Sequence, residues 1–406
     1  MMNLLPQKYK MTICIAGKNK IAIEAISYLL EHYNHFKIVG IQNQSDDGNN
    51  SWQNSFAAFC LKNKVPLVIL NDVYPVEELL FISLEFDKII RTEKFKSSRL
   101  FNIHFSKLPA YKGMFTSIMP IINGETETGV TLHYINNGID TGNIISQSVF
   151  NIPINATSRN IYELYLDHSI ELFKVNVKQL IDNSVNGSVQ SSIGSSYFSK
   201  KTIDFSNIVI NLNKTAFEVH NQVRAFAFKE YQLPKVFNHF IYKSLITNFP
   251  SACKPGVIVF EDDSRIIITT IDYNIELFKD READLMQCAQ EGDILIFEEI
   301  KNSHFPVNVK TKQGWDVFIV ACYYNQVEFV MHIVNAGWDC NTRNYKGTTA
   351  LMYAMTAASR DGNISTFEFL ANKADWLLVD DSGRDIISYA HEYNNKDVLT
   401  FIKNFT

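Results

Sequence analysis

The stretch "MTICIAGKNKIAIEAISYLLEHY", residues 11–33, sets a pattern that the first part of the chain repeats. A short apolar run ends at Gly17, and the residues that follow place their apolar side chains at helical spacing. A second apolar run, "HFKIVGIQNQ" at residues 35–44, has the character of a strand. Because strand and helix alternate and the strands are continuously apolar, we predict an α/β domain with a buried, mainly parallel sheet and helices on both faces.

The alternation continues toward residue 105. A helix is predicted at residues 51–64, and strands at 65–70 ("VPLVIL"), within 76–90 and at 99–105 ("RLFNIHF"). The first strand–helix turn contains one glycine, Gly17, where a dinucleotide-binding fingerprint would contain three. We therefore assign this turn to the fold rather than to a bound dinucleotide.

Composition excludes several classes of function. The 406 residues carry a net charge of −5 with scattered Lys and Arg, which argues against nucleic acid and anionic membranes as partners. No apolar run reaches the roughly 18 residues of a membrane span, and the N-terminus lacks a signal-peptide pattern. Six widely spaced cysteines without a CxxC pair predict reduced thiols, no metal site and a cytoplasmic location: Cys14, Cys60, Cys253, Cys288, Cys322 and Cys340.

The texture of the sequence changes twice further along the chain. Residues 186–201 are rich in Ser and Gly and predict a linker, after which a helix and several β-rich runs predict a small α+β domain. From about residue 280 a period near 33 appears, with turn glycines at Gly314, Gly347 and Gly383 and alanines at Ala321, Ala354 and Ala390. This period is typical of ankyrin repeats, an all-α domain. We predict three domains: 1–190, 191–277 and 278–406.

Chemistry concentrates in "LFNIHFSKLPAYKG", residues 100–113, where Asn102 and His104 share one face of a predicted strand near its C-terminal end. Asp140 follows 36 residues after His104 in the turn "NNGIDTGN". An amide, an imidazole and a carboxylate that meet could assist an amine attacking an acyl carbon, with no Ser or Cys nucleophile. Purely structural roles for Asn-x-His and for a turn aspartate remain the alternative at this point.

Three motifs resemble those of the folate-dependent formyltransferases, a family that includes methionyl-tRNA formyltransferase and nucleotide-sugar N-formyltransferases. They are Asn-x-His-x-Ser-x-Leu-Pro, Gly-Val-Thr-x-His and Asp-Thr-Gly, at residues 102–109, 129–133 and 140–142. The resemblance implies a Rossmann-like formyltransferase domain, N10-formyltetrahydrofolate as formyl donor, and Asn102, His104 and Asp140 as catalytic residues. It also implies that the pterin docks on a loop where Phe86-Asp87 replaces the usual Tyr-Gly, formed by Phe86, Asp87, Lys88, Ile89 and Ile90.

The second domain is similar to that of the sugar-modifying branch in "TIDF" (202–205) and "VHNQVRAFAFKEYQLPKV" (219–236). With the acidic net charge, this implies a dTDP-linked amino-dideoxy sugar as acceptor. Candidate contacts to this substrate are Lys107, Lys112, Gly113, Arg224 and Tyr231. Packing at the domain junction is the alternative for Arg224 and Tyr231, and solvation is the alternative for the two lysines.

The ankyrin extension departs from most of the family and is associated with dTDP-3-amino-3,6-dideoxyglucose, so we expect this sugar, a precursor of O-antigen lipopolysaccharide. The alternatives are dTDP-4-amino-4,6-dideoxyglucose, methionyl-tRNA, or a non-enzymatic ankyrin adaptor. We expect a homodimer, and repeats that bind a protein partner or a second nucleotide-sugar. Candidate residues for that second site are Trp338, Arg343, Tyr345, Lys346 and Trp376.

Overall fold

The computed structural model describes residues 11–405, so residues 1–10 of the predicted first domain and residue 406 lie outside the described residues. The chain forms two compact units. One comprises the residues up to 49 together with 53–279, and the other comprises 50–52 together with the residues from 280 onward. Apart from residues 50–52, the described residues of the predicted domains 1–190 and 191–277 lie in the first unit, and the separate limits of these domains stay a prediction.

Strands and helices alternate in the first unit, and helices make up the second. The described residues contain thirteen strands: β1 (Thr12–Gly17), β2 (Lys37–Gln42), β3 (Leu79–Leu84), β4 (Leu100–His104), β5 (Lys112–Gly113), β6 (Glu127–Tyr134), β7 (Ile144–Asn151), β8 (Tyr197–Phe198), β9 (Lys235–Val236), β10 (His239–Pro250), β11 (Ile258–Glu261), β12 (Arg265–Thr269) and β13 (Tyr273–Lys279). They also contain fourteen α-helices: α1 (Asn19–His32), α2 (Phe56–Lys62), α3 (Leu70–Val73), α4 (Met119–Ile122), α5 (Ser158–Ile181), α6 (Ala216–Phe226), α7 (Glu282–Glu291), α8 (Ile294–Asn302), α9 (Val317–Tyr323), α10 (Val327–Asn335), α11 (Ala350–Asp361), α12 (Ser365–Ala371), α13 (Ile386–Glu392) and α14 (Lys396–Phe405).

The main sheet has the strand order β2-β1-β3-β4-β6-β7. The first four of these strands pair in parallel, while β6 and β7 pair antiparallel at the other edge. All six residues of β3 are buried, as a parallel strand covered on both faces requires. The mainly parallel α/β sheet predicted from the alternation of apolar runs is therefore confirmed.

The prediction of a strand at residues 65–70 is wrong. Only Leu67 pairs, through a single bridge to Gly40, and the chain turns into helix α3 at Leu70. Two backbone hydrogen bonds to Gly40 make this bridge, one accepted by the Pro66 carbonyl and one donated by Val68. Pro66 has no N–H to extend the ladder, so the apolar run stops at one bridge.

The segment predicted as a linker, residues 186–201, is tied to the main domain. Its strand β8 pairs in parallel with β5, and Ser188 forms a bridge with Ile144 at the start of β7. Most of these side chains are exposed, which explains a polar composition like that of a linker. Backbone hydrogen bonds, which composition does not show, hold the segment in place.

The second sheet has the order β11-β12-β13-β10-β9 and is antiparallel throughout. Helix α6 begins at a capping box, in which Thr215 and Glu218 satisfy each other's backbone N–H groups. Its buried Val219 and Val223 join a core with Ile268 and other apolar residues of the sheet. The small α+β domain expected after the linker is present.

Helix pairs in the second unit follow the period read from the sequence. Gly314, Gly347 and Gly383 have backbone φ angles of 82°, 76° and 79°, in the left-handed region that favours glycine. The alanines at the matching positions of three helices, Ala321, Ala354 and Ala390, are fully buried. Both features are those that ankyrin repeats require. Across residues 11–405, every helix is too short or too polar to span a bilayer.

Candidate active site

Strand β4 presents Asn102 and His104 on one face of the main sheet. It is flanked by β3 and β6, and its register pairs Asn102 with His133 and His104 with Thr131. His104 is the last residue of the strand and is 8% exposed, while Asn102 is partly buried. The two side chains therefore lie near the C-terminal edge of the parallel strands, where α/β sheets place their ligands.

The turn between β6 and β7 brings Asp140 to the same place. Asp140 has a backbone φ of 53°, which is uncommon for a residue with a side chain. Thr141 braces the turn by donating its hydroxyl to Asn136 Oδ1 at 2.7 Å. Gly142 packs so closely that a Cβ there would lie 1.7 Å from the Tyr134 carbonyl oxygen. This tight turn brings the carboxylate to the end of β4.

Asp140 and His104 face each other in the interior. Asp140 Oδ2 accepts the Gly113 N–H at 2.9 Å and lies 3.5 Å from His104 Nδ1. Burial would raise the pKa of the Asp140 carboxyl, but the neighbouring His104 and His133 and the hydrogen bond from the Gly113 N–H lower it below its ordinary value. Asp140 is consequently ionised at neutral pH.

The tautomer of His104 follows from its other ring nitrogen. Nε2 lies 2.9 Å from the Tyr111 carbonyl oxygen, which can only accept, so Nε2 carries a hydrogen. In the neutral ring the lone pair is then on Nδ1, beside Asp140. Burial lowers the pKa of the His104 imidazole, and the Asp140 charge partly opposes this. A neutral imidazole with a proton-accepting Nδ1 results.

His133 orients the Asn102 amide. His133 Nδ1 lies 2.8 Å from the Tyr134 carbonyl, so Nδ1 donates and Nε2 accepts from Asn102 Nδ2 at 3.1 Å. The second hydrogen of Asn102 Nδ2 points toward Asp140 Oδ1 at 3.4 Å, a long and weak contact. That hydrogen is the one free to turn toward a substrate oxygen. His133 thus acts on the site through the orientation of the Asn102 amide.

The loop expected to hold the pterin is anchored at both ends and open between them. Phe86 packs against the core of the main sheet, and Ile90 is buried at 8% exposure. Asp87 is fixed by Gln44, whose backbone N–H donates to its carboxylate at 2.8 Å. Ile89 is 75% exposed beside the exposed Lys88, so this stretch offers both backbone groups and apolar surface.

Glu85, which immediately precedes this loop, was not singled out from the sequence. Its backbone φ is 56°, and its carboxylate accepts the Tyr162 hydroxyl at 2.9 and 3.1 Å. Burial raises the pKa of the Glu85 carboxyl. A glutamate after an apolar strand is so common that no sequence signal marked it, although its buried contacts fix the start of the loop.

The predicted substrate residues fall in three kinds of surroundings. Lys107 and Lys112 are partly exposed and pair with the side chains of Glu127 and Ser195. Gly113 donates its N–H to Asp140 rather than standing free, and its φ of 85° allows a close approach to β8.

Arg224 and Tyr231 differ in their exposure. Arg224 is 3% exposed and donates to the carbonyls of Pro153 and Ala156 at 3.4 and 3.0 Å, and burial lowers its pKa to about 10. This interior position favours the packing alternative for Arg224. Tyr231 is 59% exposed and packs against Phe228, with ring centroids 4.6 Å apart.

The residues suggested for a second site in the repeats are partly occupied by internal contacts. Trp376 Nε1 donates to the Ala371 carbonyl at 2.8 Å, and Lys310 lies 5.9 Å from the Tyr345 ring centroid. The five suggested residues are Trp338, Arg343, Tyr345, Lys346 and Trp376; all are half-buried except the exposed Lys346. The Trp376 contact favours a packing role for that residue.

Residues 78–175, which include the three predicted catalytic residues, match the formyl transferase family model, and residues 285–357 match ankyrin repeats (three copies). The chain is also similar to WlaRD, a sugar 3N-formyl transferase crystallised in the presence of dTDP and 5-N-formyl-THF. Identity is 49% over 66% of this chain and 97% of that chain, with a TM-score of 0.63. The chain belongs to the sugar N-formyltransferase family.

Two further proteins are similar to this chain. The N-formyltransferase of Helicobacter canadensis, solved in complex with folinic acid and dTDP-3-aminofucose, is 45% identical over 66% of this chain and 100% of that chain, with a TM-score of 0.63. The methionyl-tRNA formyltransferase of Clostridioides difficile (strain 630) is 23% identical over 72% of this chain and 97% of its own length. The resemblance identified from three motifs is confirmed, and this sugar N-formyltransferase is an enzyme that carries an ankyrin extension.

Proposed function

We propose that this enzyme transfers a formyl group from N10-formyltetrahydrofolate to the amine of a dTDP-linked amino-dideoxy sugar, with dTDP-3-amino-3,6-dideoxyglucose as the first candidate. The observation that carries the proposal is the buried arrangement of Asn102, His104 and Asp140 in a chain 49% identical to a sugar 3N-formyl transferase. Both similar structures contain dTDP or a dTDP-3-amino sugar. This supports a 3-amino acceptor over a 4-amino one.

The residues at the site fit the formyl donor. Asp87, Lys88 and Ile89 form an open stretch between two anchored residues, and they follow β3, the parallel neighbour of the strand that carries His104. When bound, N10-formyltetrahydrofolate supplies an electrophilic formyl carbon. The backbone groups of this stretch would orient the pterin, and the apolar Ile89 would cover it.

His104 and Asp140 are arranged to receive the acceptor amine. His104 Nδ1 and Asp140 Oδ2, 3.5 Å apart, present two acceptors to one N–H group. As the amine forms its bond to the formyl carbon, Nδ1 takes the proton, because the Tyr111 carbonyl keeps the other ring nitrogen protonated. The ionised Asp140 stabilises the resulting imidazolium, which can then return the proton to the departing nitrogen.

Asn102 can stabilise the negative charge that develops on the formyl oxygen. Its Nδ2 has one firm acceptor in His133 and one weak contact to Asp140, so a hydrogen is available for the formyl oxygen. A donor held in place before the reaction stabilises developing negative charge without having to reorganise.

Mass spectrometry tests the proposal directly. Purified enzyme is incubated with N10-formyltetrahydrofolate and, separately, the dTDP-linked 3-amino-3,6-dideoxyglucose, 3-aminofucose and 4-amino-4,6-dideoxyglucose. We expect a product heavier by one formyl group, formed fastest with a 3-amino sugar. Preference for the 4-amino sugar would overturn the assigned amino position, and no product from any sugar would overturn the proposed reaction.

Formylation of methionyl-tRNA is the second candidate, because a transfer-RNA enzyme matches 97% of its own length to this chain. The net charge of −5 argues against it. Filter binding of methionyl-tRNA at rising salt decides the question, since a tRNA enzyme would bind strongly at low salt and lose affinity steeply. We expect no such binding.

A homodimer and a cytoplasmic location belong to the same proposal. Strand β11 is an edge strand whose Ile258, Val259 and Phe260 are 41%, 55% and 42% exposed, a surface that a second copy could cover. Light scattering should give twice the chain mass, and a monomer would contradict the dimer. All six cysteines lie in the described residues and are free thiols, which supports a cytoplasmic location.

We assign the repeats a binding role, with a protein partner first and a second nucleotide-sugar at Trp338 and Arg343 as the other candidate. The repeats carry eighteen acidic against eleven basic residues from 280 onward, a net charge of −7. Such a surface suits a basic partner better than a diphosphate. Equilibrium dialysis with dTDP discriminates: one site per chain would support the protein-partner reading, and two sites would support the second ligand.

A further inference from the structure

Residues 188–198 touch each of the loops that carry the catalytic groups. Ser188 exchanges two backbone hydrogen bonds with Ile144, each of 2.8 Å, just beyond the turn that carries Asp140. Further along, Ser196 and Phe198 pair with the loop that supplies the Tyr111 carbonyl and the Gly113 N–H. Between these two contacts lies Gln190, whose side chain reaches back to the aspartate turn.

Gln190 binds two backbone carbonyls of the turn that carries Asp140. Its Nε2 donates to the carbonyl oxygens of Asp140 at 2.8 Å and of Gly142 at 2.7 Å. Because both partners can only accept, the amide orientation is fixed and both hydrogens of the NH₂ group are used. Gln190 Oε1 is buried and, within residues 11–405, has no hydrogen-bond partner. The hydrogen bonds of this side chain are thus made by its nitrogen alone.

The backbone conformation of this turn needs support from outside the turn. Asp140 occupies the left-handed region of the backbone with a φ of 53°, a conformation that aspartate adopts more often than most residues but that still costs free energy. Relaxation of that backbone would carry the carboxylate away from the Gly113 N–H and from His104 Nδ1. The direction of the carboxylate therefore depends on a conformation that Gln190 holds from outside the turn.

The same segment also fixes the other partner of His104. The Ser196 hydroxyl accepts the Tyr111 N–H at 2.8 Å, and the rings of Tyr111 and Phe198 stack with centroids 5.6 Å apart. Tyr111, with a φ of 61°, is held with its carbonyl against His104 Nε2. Both ring nitrogens of His104 thus face groups whose backbone is pinned by residues 188–198.

We propose that Gln190 is a positioning residue for formyl transfer, which holds the backbone of Asp140 so that its carboxylate faces His104. The proposal rests on the proposed function for its kinetic test, but the geometry on which it depends can also be measured without substrate.

The kinetic test uses Gln190→Met, which keeps the length of the side chain and removes both donors. We expect kcat to fall about 10- to 100-fold, as misplacement of a catalytic group by about 1 Å does, while KM for donor and acceptor changes little. Val189→Ala is the matched control, because Val189 is the adjacent residue and is 83% exposed. Wild-type kcat in Gln190→Met, or a loss confined to KM, would overturn the proposal.

A double-mutant cycle with Asp140→Asn separates positioning from general destabilisation. If Gln190 acts through the Asp140 carboxylate, Gln190→Met should add almost nothing to the loss already caused by Asp140→Asn. Losses that multiply would show that Gln190 acts independently of Asp140 and would refute the assigned role.

Histidine NMR provides the test that needs no activity. The titratable groups facing His104 are Asp140 and His133, and the Asp140 charge raises the His104 pKa. Gln190→Met should therefore lower the His104 pKa in the direction that Asp140→Asn lowers it, with the resonance assigned by His104→Gln. An unchanged pKa would overturn the positioning role, whether or not any amino sugar is formylated.

Discussion

The two units of this enzyme use left-handed backbone in different ways. In the catalytic unit, Tyr111 and Asp140 have φ angles of 61° and 53°, and they present a carbonyl oxygen and a carboxylate to the site. In the repeats, left-handed positions recur with the period of the sequence, at glycines such as Gly347 and Gly383 and at Asn325 and Asn394. At the site the left-handed backbone orients a catalytic group or its partner, whereas in the repeats it closes turns between helices.

The largest effect should follow from removing a side chain held by the strained backbone or facing it. His104→Ala should lower kcat by about 10²- to 10⁴-fold, the usual contribution of a general base. Steady-state formylation assays check this, and circular dichroism should show an intact fold. His32→Ala, at an exposed histidine of the same unit, serves as control. A kcat for His104→Ala within twofold of wild type would remove His104 from the mechanism.

Asn102→Ala should come next, with a loss of about 10²- to 10³-fold in kcat because an oxyanion donor is removed. Asn102 also binds His133, so Asn102→Asp is a useful companion: it keeps the size of the side chain but replaces the NH₂ donor. Both variants should be slow in single-turnover assays. A fast Asn102→Asp enzyme would show that the amide hydrogens are not needed.

Gly142→Ala tests the turn itself and should have a smaller effect. The added Cβ would meet the Tyr134 carbonyl oxygen at 1.7 Å, so the backbone must shift and kcat should fall about 10- to 100-fold. Gly194→Ala is the control, since nothing lies within 4 Å of its added Cβ. Equal activity of the two variants would mean that the turn tolerates displacement.

The acid limb of the kcat/KM profile should lie at a lower pH than an ordinary histidine would give. Burial lowers the pKa of His104 below its ordinary value of 6.5, and the reaction needs the neutral ring. The acid limb of kcat/KM should therefore fall below pH 6.5, because activity is lost only as pH drops through the lowered pKa. A pH-rate profile from 4.5 to 8 measures it, and a limb clearly above pH 6.5 would contradict this assignment.

The smallest effects are expected in the repeats. Gly383→Ala should cost about 1 kcal/mol of unfolding free energy from the unfavourable φ alone, since nothing lies within 4 Å of the added Cβ. Gly314→Ala should cost more, because its Cβ would meet the Tyr345 backbone nitrogen at 2.5 Å. Urea denaturation measures both, and kcat should stay at the wild-type value. Equal stabilities would contradict the clash at Gly314.

The features that sequence predicts best here are those with a repeated physical cause. Apolar strands at regular intervals predicted the parallel sheet, and glycine and alanine at a period near 33 predicted the repeats. Asn102 and His104 were recognisable because two polar side chains on one face of an apolar strand need a reason. Asp140 was placed by a motif, and its contact at 3.5 Å with His104 Nδ1 shows why the motif contains a tight turn.

Backbone groups account for most of what the sequence could not show. The Tyr111 carbonyl and the Gly113 N–H fix His104 and Asp140, but neither depends on the side chain at its position. Residues 186–201 were misread as a linker because a two-residue strand and one bridge leave no periodic pattern. Residues 65–70 were predicted as a strand from their apolar run alone. An apolar run becomes a strand only where its backbone pairs with a neighbour, and Pro66 has no N–H to donate.

The pairing of β8 with β5 also affects when the site can form during synthesis of the chain. A ribosome releases Asn102, His104 and Asp140 well before Gln190 and Phe198, so a nascent chain that ends at α5 holds every reacting side chain without the strand that closes around them. Competence for catalysis would begin only 17 residues after α5 ends at Ile181, with Phe198. A protease that cut once within 188–198 would reverse this step and leave the sheet standing, which makes the segment a natural place to split the enzyme into two complementing fragments.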